Sequence, residues 1–177
     1  AAAATAAAVA GAATAIGALT TKAIEGYAAQ EQLVGGVETL FKTSSDTVVG
    51  YANDAYKTAG MSANEYMETV TSFSASLLAS MNNDTAAAAE KANVAITDMS
   101  DNANKMGTDI SLIQNAYNGF AKQNYTMLDN LKLGYGGTKE EMQRLLDDAS
   151  KLSGIKYDIS SYSDVVDAIH VVQTEMG

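Results

Sequence analysis

The segment AEKANVAITDMSDNANKMGTDISLIQNAYNGF (89–120) places an apolar residue at alternating intervals of three and four positions. This repeat, termed the seam, consists of Ala89, Ala92, Ile96, Met99, Ala103, Met106, Ile110, Ile113, Tyr117 and Phe120. Such spacing puts the apolar side chains on one face of an α-helix. Glycine favours the position after a helix and aspartate the N-cap, so Gly107 and Asp109 predict that the seam is divided between two helices.

Two kinds of packing would bury the seam. A heptad-type repeat is typical of a coiled coil between chains, and the same stripe suits amphipathic helices packed within one chain. The flanking positions Asn93, Ser100, Asn102 and Gln114 carry no charge pairs of the kind that select coiled-coil partners. The pattern therefore favours packing within the chain, and it places Asn102 toward the edge of the buried stripe.

Capping residues and glycines mark the helices before the seam. A first helix is expected to continue through 22–33 and to break at Gly35-Gly36. Residues 44–46 offer N-caps for a second helix ending near Gly60. The sequence from Ser62 to Glu65 is a capping box, and a turn at 82–84 provides Asp84 as a further cap. Between these caps, the expected buried positions are Tyr66, Val70, Phe73 and Leu77.

The C-terminal part repeats this organisation. Residues 124–137 are glycine-punctuated and predict a loop, and Thr138 with Glu141 predicts a second capping box. The next helix carries an apolar stripe that ends before Gly154: Met142, Leu145, Leu146, Ala149 and Leu152. Ser163 is expected to cap a final helix with Val165, Val166, Ile169 and Val172 on its buried side.

The predicted fold is all-α, a module of about five to seven helices without significant sheet. The chain of 177 residues contains no proline, which permits long helices. We expect an Ala-rich N-terminal helix at 1–34 and a compact helical module at 35–177. Because the chain begins with Ala1 instead of Met and ends on Gly177, we also expect it to be an excerpt of a longer protein.

Residues 1–19 contain no charged side chain and are mostly alanine. Their length is about that of a membrane-spanning helix, but only Val9, Ile16 and Leu19 are large. The small residues Gly11, Ala15 and Gly17 would also let helices approach closely at the axis of an oligomer. Burial in an oligomer is favoured over membrane insertion, and a secretory signal is not indicated because no basic segment precedes the stretch.

Charge and composition restrict the function classes. The formal net charge is −10, with 21 acidic and 11 basic residues, and such a surface repels a phosphate backbone. Specific nucleic-acid binding is therefore not expected. Cysteine is absent, which removes disulfides, thiolate catalysis and cysteine-ligated metals.

The remaining chemical candidates favour structural interpretations. His170, the only histidine, is flanked by Ile169 and Val171 without a nucleophile pattern, and we expect it to be a satisfied, partly buried side chain. The acidic pairs 140–141 and 147–148 are interpreted as solvated helix faces. A calcium site is not expected at Asp98, Asp101 and Asp109, because the ligand order of an EF-hand is missing.

Two other features of the loops also favour structural interpretations over a binding or catalytic site. The sequence Gly134-Tyr135-Gly136-Gly137 lacks the Lys-Ser/Thr of a phosphate-binding loop and is interpreted as a turn. The loop tyrosines are expected to bury their rings and leave their hydroxyls wet: Tyr125, Tyr135, Tyr157 and Tyr162. We predict no catalytic, cofactor-binding or metal-binding residues, no cofactor, and no enzymatic activity.

The sequence LIQNAYNGFAKQNYTMLDNLKLGYGGTKEEMQRLLDDASKLSG (112–154) resembles the tape measure proteins of long-tailed phages. Its ordered aromatic, Asn, Gly-Gly and capping signals are too specific to follow from helix propensity. The resemblance extends to EQLVGGVETLF (31–41), YANDAYKTAGMSANEYMETVTSFSASLLAS (51–80), AITDMSDNANKMGTDI (95–110) and YDISSYSDVVDAIHVVQTEMG (157–177). It covers roughly residues 25–177.

This resemblance implies a structural virion protein that sets tail length during assembly and takes part in genome delivery. It implies partners among the tail tube and distal tail or tail-tip proteins, a homo-oligomer (a trimer is favoured), and possible contact with the host membrane during ejection. The implied location is the tail lumen or tail tip, with the host cytoplasm during assembly. The alternative is a membrane-active or pore-forming helical protein acting through residues 1–24.

Overall fold

A computed structural model describes residues 26–175. Every regular element in this range is a helix, which confirms the predicted all-α class. Residues 26–41 form α1, followed by α2 (Ser45–Thr58), α3 (Ala63–Ser80), α4 (Thr85–Met106), α5 (Ile110–Phe120), α6 (Lys139–Ser153) and α7 (Tyr162–Glu175). Short 3-10 helices occur at Lys42–Ser44 and Leu128–Leu131. The part of the predicted Ala-rich helix that falls at 1–25 lies outside the described residues.

The seam lies in the core of its own chain, which confirms intrachain packing. Fully buried members from both helices are Ala89, Ala92, Ile96, Met99, Ile113, Tyr117 and Phe120. The members next to the break at Gly107 are only half-buried. Helix α4 contacts α2, α3, α5 and α7, so it is the central element around which the described helices pack.

Most predicted helix ends are confirmed. The Ser62–Glu65 capping box is complete, with the Ser62 amide 2.7 Å from Glu65 Oε2. Asp84 accepts hydrogen bonds from two amides of the first turn of α4, and Asp109 accepts one in α5. Gly107 and Gly154 both have positive φ, the left-handed conformation that terminates α4 and α6.

The predicted break at Gly35-Gly36 is wrong, because α1 continues through both glycines to position 41. Glycine in a helix costs about 1 kcal/mol relative to alanine. Val37 and Phe41 are fully buried immediately after the glycines, and burial of side chains of this size contributes more than that cost. Tertiary packing therefore extends the helix beyond its local stop signal.

Two details at α6 differ from prediction. Thr138 accepts from the Glu141 amide, but Glu141 does not complete the capping box: its carboxylate binds the Gly136 amide and Arg144. Leu152 was predicted to be buried, and it is 54% exposed. Residues 151–156 are all exposed, so the last turn of α6 extends past the core although its apolar stripe continues.

The predicted cap of the last helix is displaced by two residues. Ser161, just before α7, accepts a hydrogen bond from the Asp164 amide, whereas Ser163 lies inside the helix and is buried. The buried face of α7 is otherwise as predicted, with Val165, Val166, Ile169 and Val172 in the core.

Three of the four loop tyrosines are buried, Tyr125, Tyr157 and Tyr162, and the hydroxyls of all four have hydrogen-bond partners among protein oxygens. Tyr125 donates to Ile159 O, and Tyr135 donates to Asp148 Oδ2. Tyr157 donates to Ser153 Oγ, and Tyr162 donates to Tyr117 O. The loops fold back on the helices and bring these acceptors within reach.

Candidate functional site

The polar contacts between α4 and α7 include a buried carboxyl group, that of Asp98. Asp98 of α4 is 7% exposed. Its two carboxylate oxygens lie 3.0 and 2.9 Å from Nδ1 of His170 on α7. The His170 side chain is 46% exposed, so the pair joins a buried anion to a ring at the surface.

Helix periodicity positions this pair. Asp98 and Asn102 are four residues apart and share a face of α4, while His170 and Gln173 are three apart on α7. Packing of the neighbouring apolar residues, such as Met99 and Ile169, brings these two polar faces together.

A ladder of hydrogen bonds extends from the pair into the core. Gln173 Nε2 donates to the backbone oxygen of Asp98 at 2.8 Å. Asn102 Nδ2 reaches Gln173 Oε1 at 3.2 Å and Leu131 O at 3.0 Å. Asn102 is therefore 1% exposed and central to the contact, so the prediction that it lies at the edge of the buried stripe is wrong.

Burial dominates the electrostatics of Asp98. It raises the pKa of this carboxyl to about 6, because the charged form is poorly solvated in the interior. His170 opposes the rise through its charge and hydrogen bond, and Asp101 adds to it. Burial also raises the pKa of Tyr117 on α5, so that phenol stays neutral beside Asp98.

The chemistry available to the pair is the uptake and release of a proton. A carboxylate that holds a histidine ring is one part of a nucleophilic triad, which also needs a hydroxyl or thiol bonded to the ring. Here the Thr174 hydroxyl donates to the backbone oxygen of His170 and not to its ring. His170 is partly exposed and has a hydrogen-bonding partner, in agreement with its interpretation as a satisfied side chain.

The other acidic candidates are dispersed. Asp109 caps α5, and Asp101 is exposed on α4, where its charge acts on Asp98. Among residues 26–175, no group of three or more His, Cys, Asp or Glu side chains is arranged to hold a metal ion.

The carboxylates of α6 fasten the preceding loop. Hydrogen bonds from Arg144 and the Gly136 amide lower the pKa of Glu141 to about 2. The Arg144 guanidinium lies 4.3 Å from the centroid of the Tyr135 ring, and it also donates to Gly134 O. The predicted turn at 134–137 is therefore fixed to α6 by a cation–π contact and by charge-assisted hydrogen bonds.

A second polar surface is the groove between α3 and α5. Glu65, Glu68 and Ser72 line one wall and Ser111, Asn115 and Asn118 the other. The two helices are bridged across it by hydrogen bonds from Gln114 to Thr69 at 3.0 Å and from Ser72 to Asn118 at 2.9 Å. The groove is acidic and rich in amides.

Sequence reasoning did not anticipate the ladder. Asp98, Asn102 and Gln173 interrupt otherwise apolar helix faces, and that interruption is the available signal. It does not show which partner each residue meets, because the contacting residues are more than 70 positions apart in the chain.

Among the described residues, no helix is both long and apolar enough to cross a membrane. Comparison with protein-family models, with characterised proteins and with solved structures found no match to this chain.

Proposed function

We propose that this chain is part of a phage or prophage tail tape measure protein, a structural virion component that sets tail length and takes part in genome delivery. The resemblance of residues 112–154 to that family carries the proposal. The other resembling segments lie on both sides of it, so the proposal concerns most of the described module.

Two glycines of the resembling segment lie where the fold leaves little space for a side chain. A Cβ at Gly137 would overlap the carbonyl oxygen of Thr126 and lie 2.9 Å from its carbon. A Cβ at Gly119 would lie 3.0 Å from Asn124 O. These close approaches leave no space for a side chain at Gly137 in the linker and little space at Gly119 in α5.

The physical role follows from the module's shape and charge. An α-helix rises about 1.5 Å per residue, so an extended helical chain converts residue number into length. The described residues form a compact bundle, which suits a site at one end of the tape and not the ruler itself. A net charge of −10 would let DNA pass through the tail without adhering to this module.

Tail morphology tests the proposal. Purified virions from a phage or lysogen that encodes the chain are expected to contain its peptides by mass spectrometry. In-frame deletions in the extended helical part of its gene should shorten the tails by about 1.5 Å per residue removed, measured by negative-stain electron microscopy. A null allele that gives virions with normal tails would overturn the proposal.

We further propose that the module contacts tail tube and distal tail proteins and forms a homo-oligomer, with a trimer favoured. The small-residue face within residues 1–19 motivates self-association. Analytical ultracentrifugation of the chain with residues 1–24 should show a species heavier than the monomer, and a variant lacking them provides the comparison. A monomer at high concentration in both cases would contradict this part.

The uncharged composition of residues 1–19 favours one alternative, a membrane-active protein acting through residues 1–24. Flotation with liposomes separates the two proposals. If the full chain floats and a chain lacking 1–24 does not, lipid binding through this segment is established. If neither floats, the membrane alternative is wrong and the tail experiments stand alone.

A further inference from the structure

Two polar contacts of different chemistry hold helix α7 on α4. Toward its N-terminal half, Asp167 forms an ion pair with Lys91 of α4. Toward its C-terminal half, His170 binds Asp98. The second contact differs from the first because its carboxylate is buried, and burial disfavours the charged form of a carboxyl group.

We propose that the Asp98–His170 pair is a proton-operated clamp on the C-terminal half of α7. Uptake of a proton by the pair tightens the contact with α4, and loss of the proton loosens it. The inference is independent of the tail proposal, because it concerns the docking of one helix within this chain.

The surroundings of the pair explain why a proton matters. When the His170 imidazole is neutral, the buried Asp98 carboxylate has a hydrogen bond with the ring but no positive charge from it. Asp101 on α4 adds a second negative charge, and Tyr117 on α5 is a neutral phenol. Lys105, also on α4, is exposed and lines a groove together with Asp98 and Gln173.

On the other side, His170 lines a small groove with charged groups of both signs: Lys156, Asp164 and Asp167. Asp167 is engaged by Lys91, and Asp164 accepts hydrogen bonds from the amide of Asp158 and the hydroxyl of Ser161. His170 is therefore the group of this groove that contacts the Asp98 carboxylate.

The sign of the effect follows from burial. Burial raises the pKa of Asp98 from 3.8 to about 6, so the docked state holds this proton more tightly than the undocked state does. The resulting stabilisation is fully present below about pH 4 and is lost as the pH rises through about 6.

Loosening should be local to the end of α7. The beginning of the helix is held by Val165 and Val166 in the core, by Lys91–Asp167, and by the Tyr162 hydroxyl on Tyr117 O. At the end of the helix, Ala168, Ile169 and Val172 are also buried, but the polar contacts to α4 are those of His170 and Gln173, and both involve Asp98. Residues 168–175 are therefore expected to open first.

Hydrogen exchange measured by mass spectrometry tests the clamp on the full chain. After correction for intrinsic rates, protection of residues 168–175 should fall roughly ten- to a hundredfold between pH 4.5 and 7.5. Asp98→Asn keeps the shape and the hydrogen-bonding capacity without the charge. It should give high protection at both pH values.

Asp167→Asn is the matched control, because it removes the Lys91–Asp167 ion pair between the same two helices. It should reduce protection of α7 by a similar factor at both pH values and leave the pH response intact. The clamp is wrong if Asp98→Asn keeps the parent's pH response, or if protection falls equally in all helices of the parent.

A direct titration needs no variant. His170 is the only histidine, so its imidazole resonances are identified without mutagenesis. Nuclear magnetic resonance of the parent should give an Asp98 carboxyl midpoint near pH 6, with a matching chemical-shift change at His170. A midpoint near 4 would overturn the clamp.

Discussion

At the scale of single residues, Asn102 shows how a polar side chain becomes part of a helix contact. Its amide group donates to oxygens from two other elements, Leu131 O and Gln173 Oε1, in a site with almost no solvent access. Within the described residues its own Oδ1 has no donor. The two acceptor oxygens therefore require a side chain at position 102 that donates hydrogen bonds.

Asn102→Asp should be strongly destabilising. The substitution replaces the donor by a carboxylate oxygen that faces two acceptors, and it adds a buried negative charge one turn from Asp98. We expect a loss of about 3 kcal/mol or more in the free energy of unfolding at pH 7. Urea titration followed by circular dichroism measures it, with the exposed Asn115→Asp on α5 as a control expected to be within about 0.5 kcal/mol of the parent.

His170→Ala tests the same contact from α7. The ring is half-exposed, so its packing contributes little, but its removal leaves the Asp98 carboxylate buried without its partner. We expect a loss of about 2 kcal/mol at pH 8 that diminishes toward pH 4, where Asp98 is protonated.

A double variant provides the control for that experiment. Adding Asp98→Asn to His170→Ala removes the buried charge, so it should restore much of the lost stability at pH 8. If the two substitutions are simply additive in thermal or urea unfolding, the residues do not interact energetically and the pairing is unimportant.

At the scale of elements, the linker between α5 and α6 is determined by close backbone approach. Gly137 passes against the Thr126 carbonyl group, with no space for a side chain. Lys132 adopts positive φ at the end of the 3-10 helix, and its ammonium group donates to Met106 O at the end of α4 at 3.1 Å. The linker is thus fixed at several points along its length.

Gly137→Ala should displace this linker. The new methyl group would overlap the Thr126 carbonyl oxygen, so the loop must shift or the protein loses about 2 kcal/mol or more. The adjacent Gly136→Ala is the matched control, because its Cβ would lie 3.6 Å from Glu141 Cγ, an ordinary contact. Equal melting temperatures for the two variants would show that the close approach at Gly137 is absent.

At the scale of the whole molecule, one core joins α1 to α7, and the seam of α4 lies inside it. Met99→Asp should therefore unfold the protein or come close to it, because an unpaired charge in a site with 0% exposure costs several kcal/mol. Val94→Asp on the same helix is the control, since Val94 is 38% exposed. Thermal melts that are alike for the two variants would place the seam at the surface.

Local sequence determined the helices and most of their ends. The three-four spacing of the seam and the caps at Ser62, Asp84 and Asp109 act within one or two helical turns, so they can be identified without knowledge of the fold. The same reasoning failed at Gly35-Gly36, where the local stop signal is weaker than the burial of Val37 and Phe41 that follows it.

Tertiary structure decided the partners. The sequence indicates that Asp98, Asn102 and Gln173 interrupt apolar faces. Only the packing of α7 on α4 brings Asp98 into contact with His170, which is 72 positions away in the chain. The pKa of Asp98 depends on the same packing, because the loss of solvation comes from side chains distant in sequence. Helix formation is governed by neighbours along the chain, whereas burial and pairing are governed by neighbours in space, and for this reason the sequence predicted the helices and not the ladder.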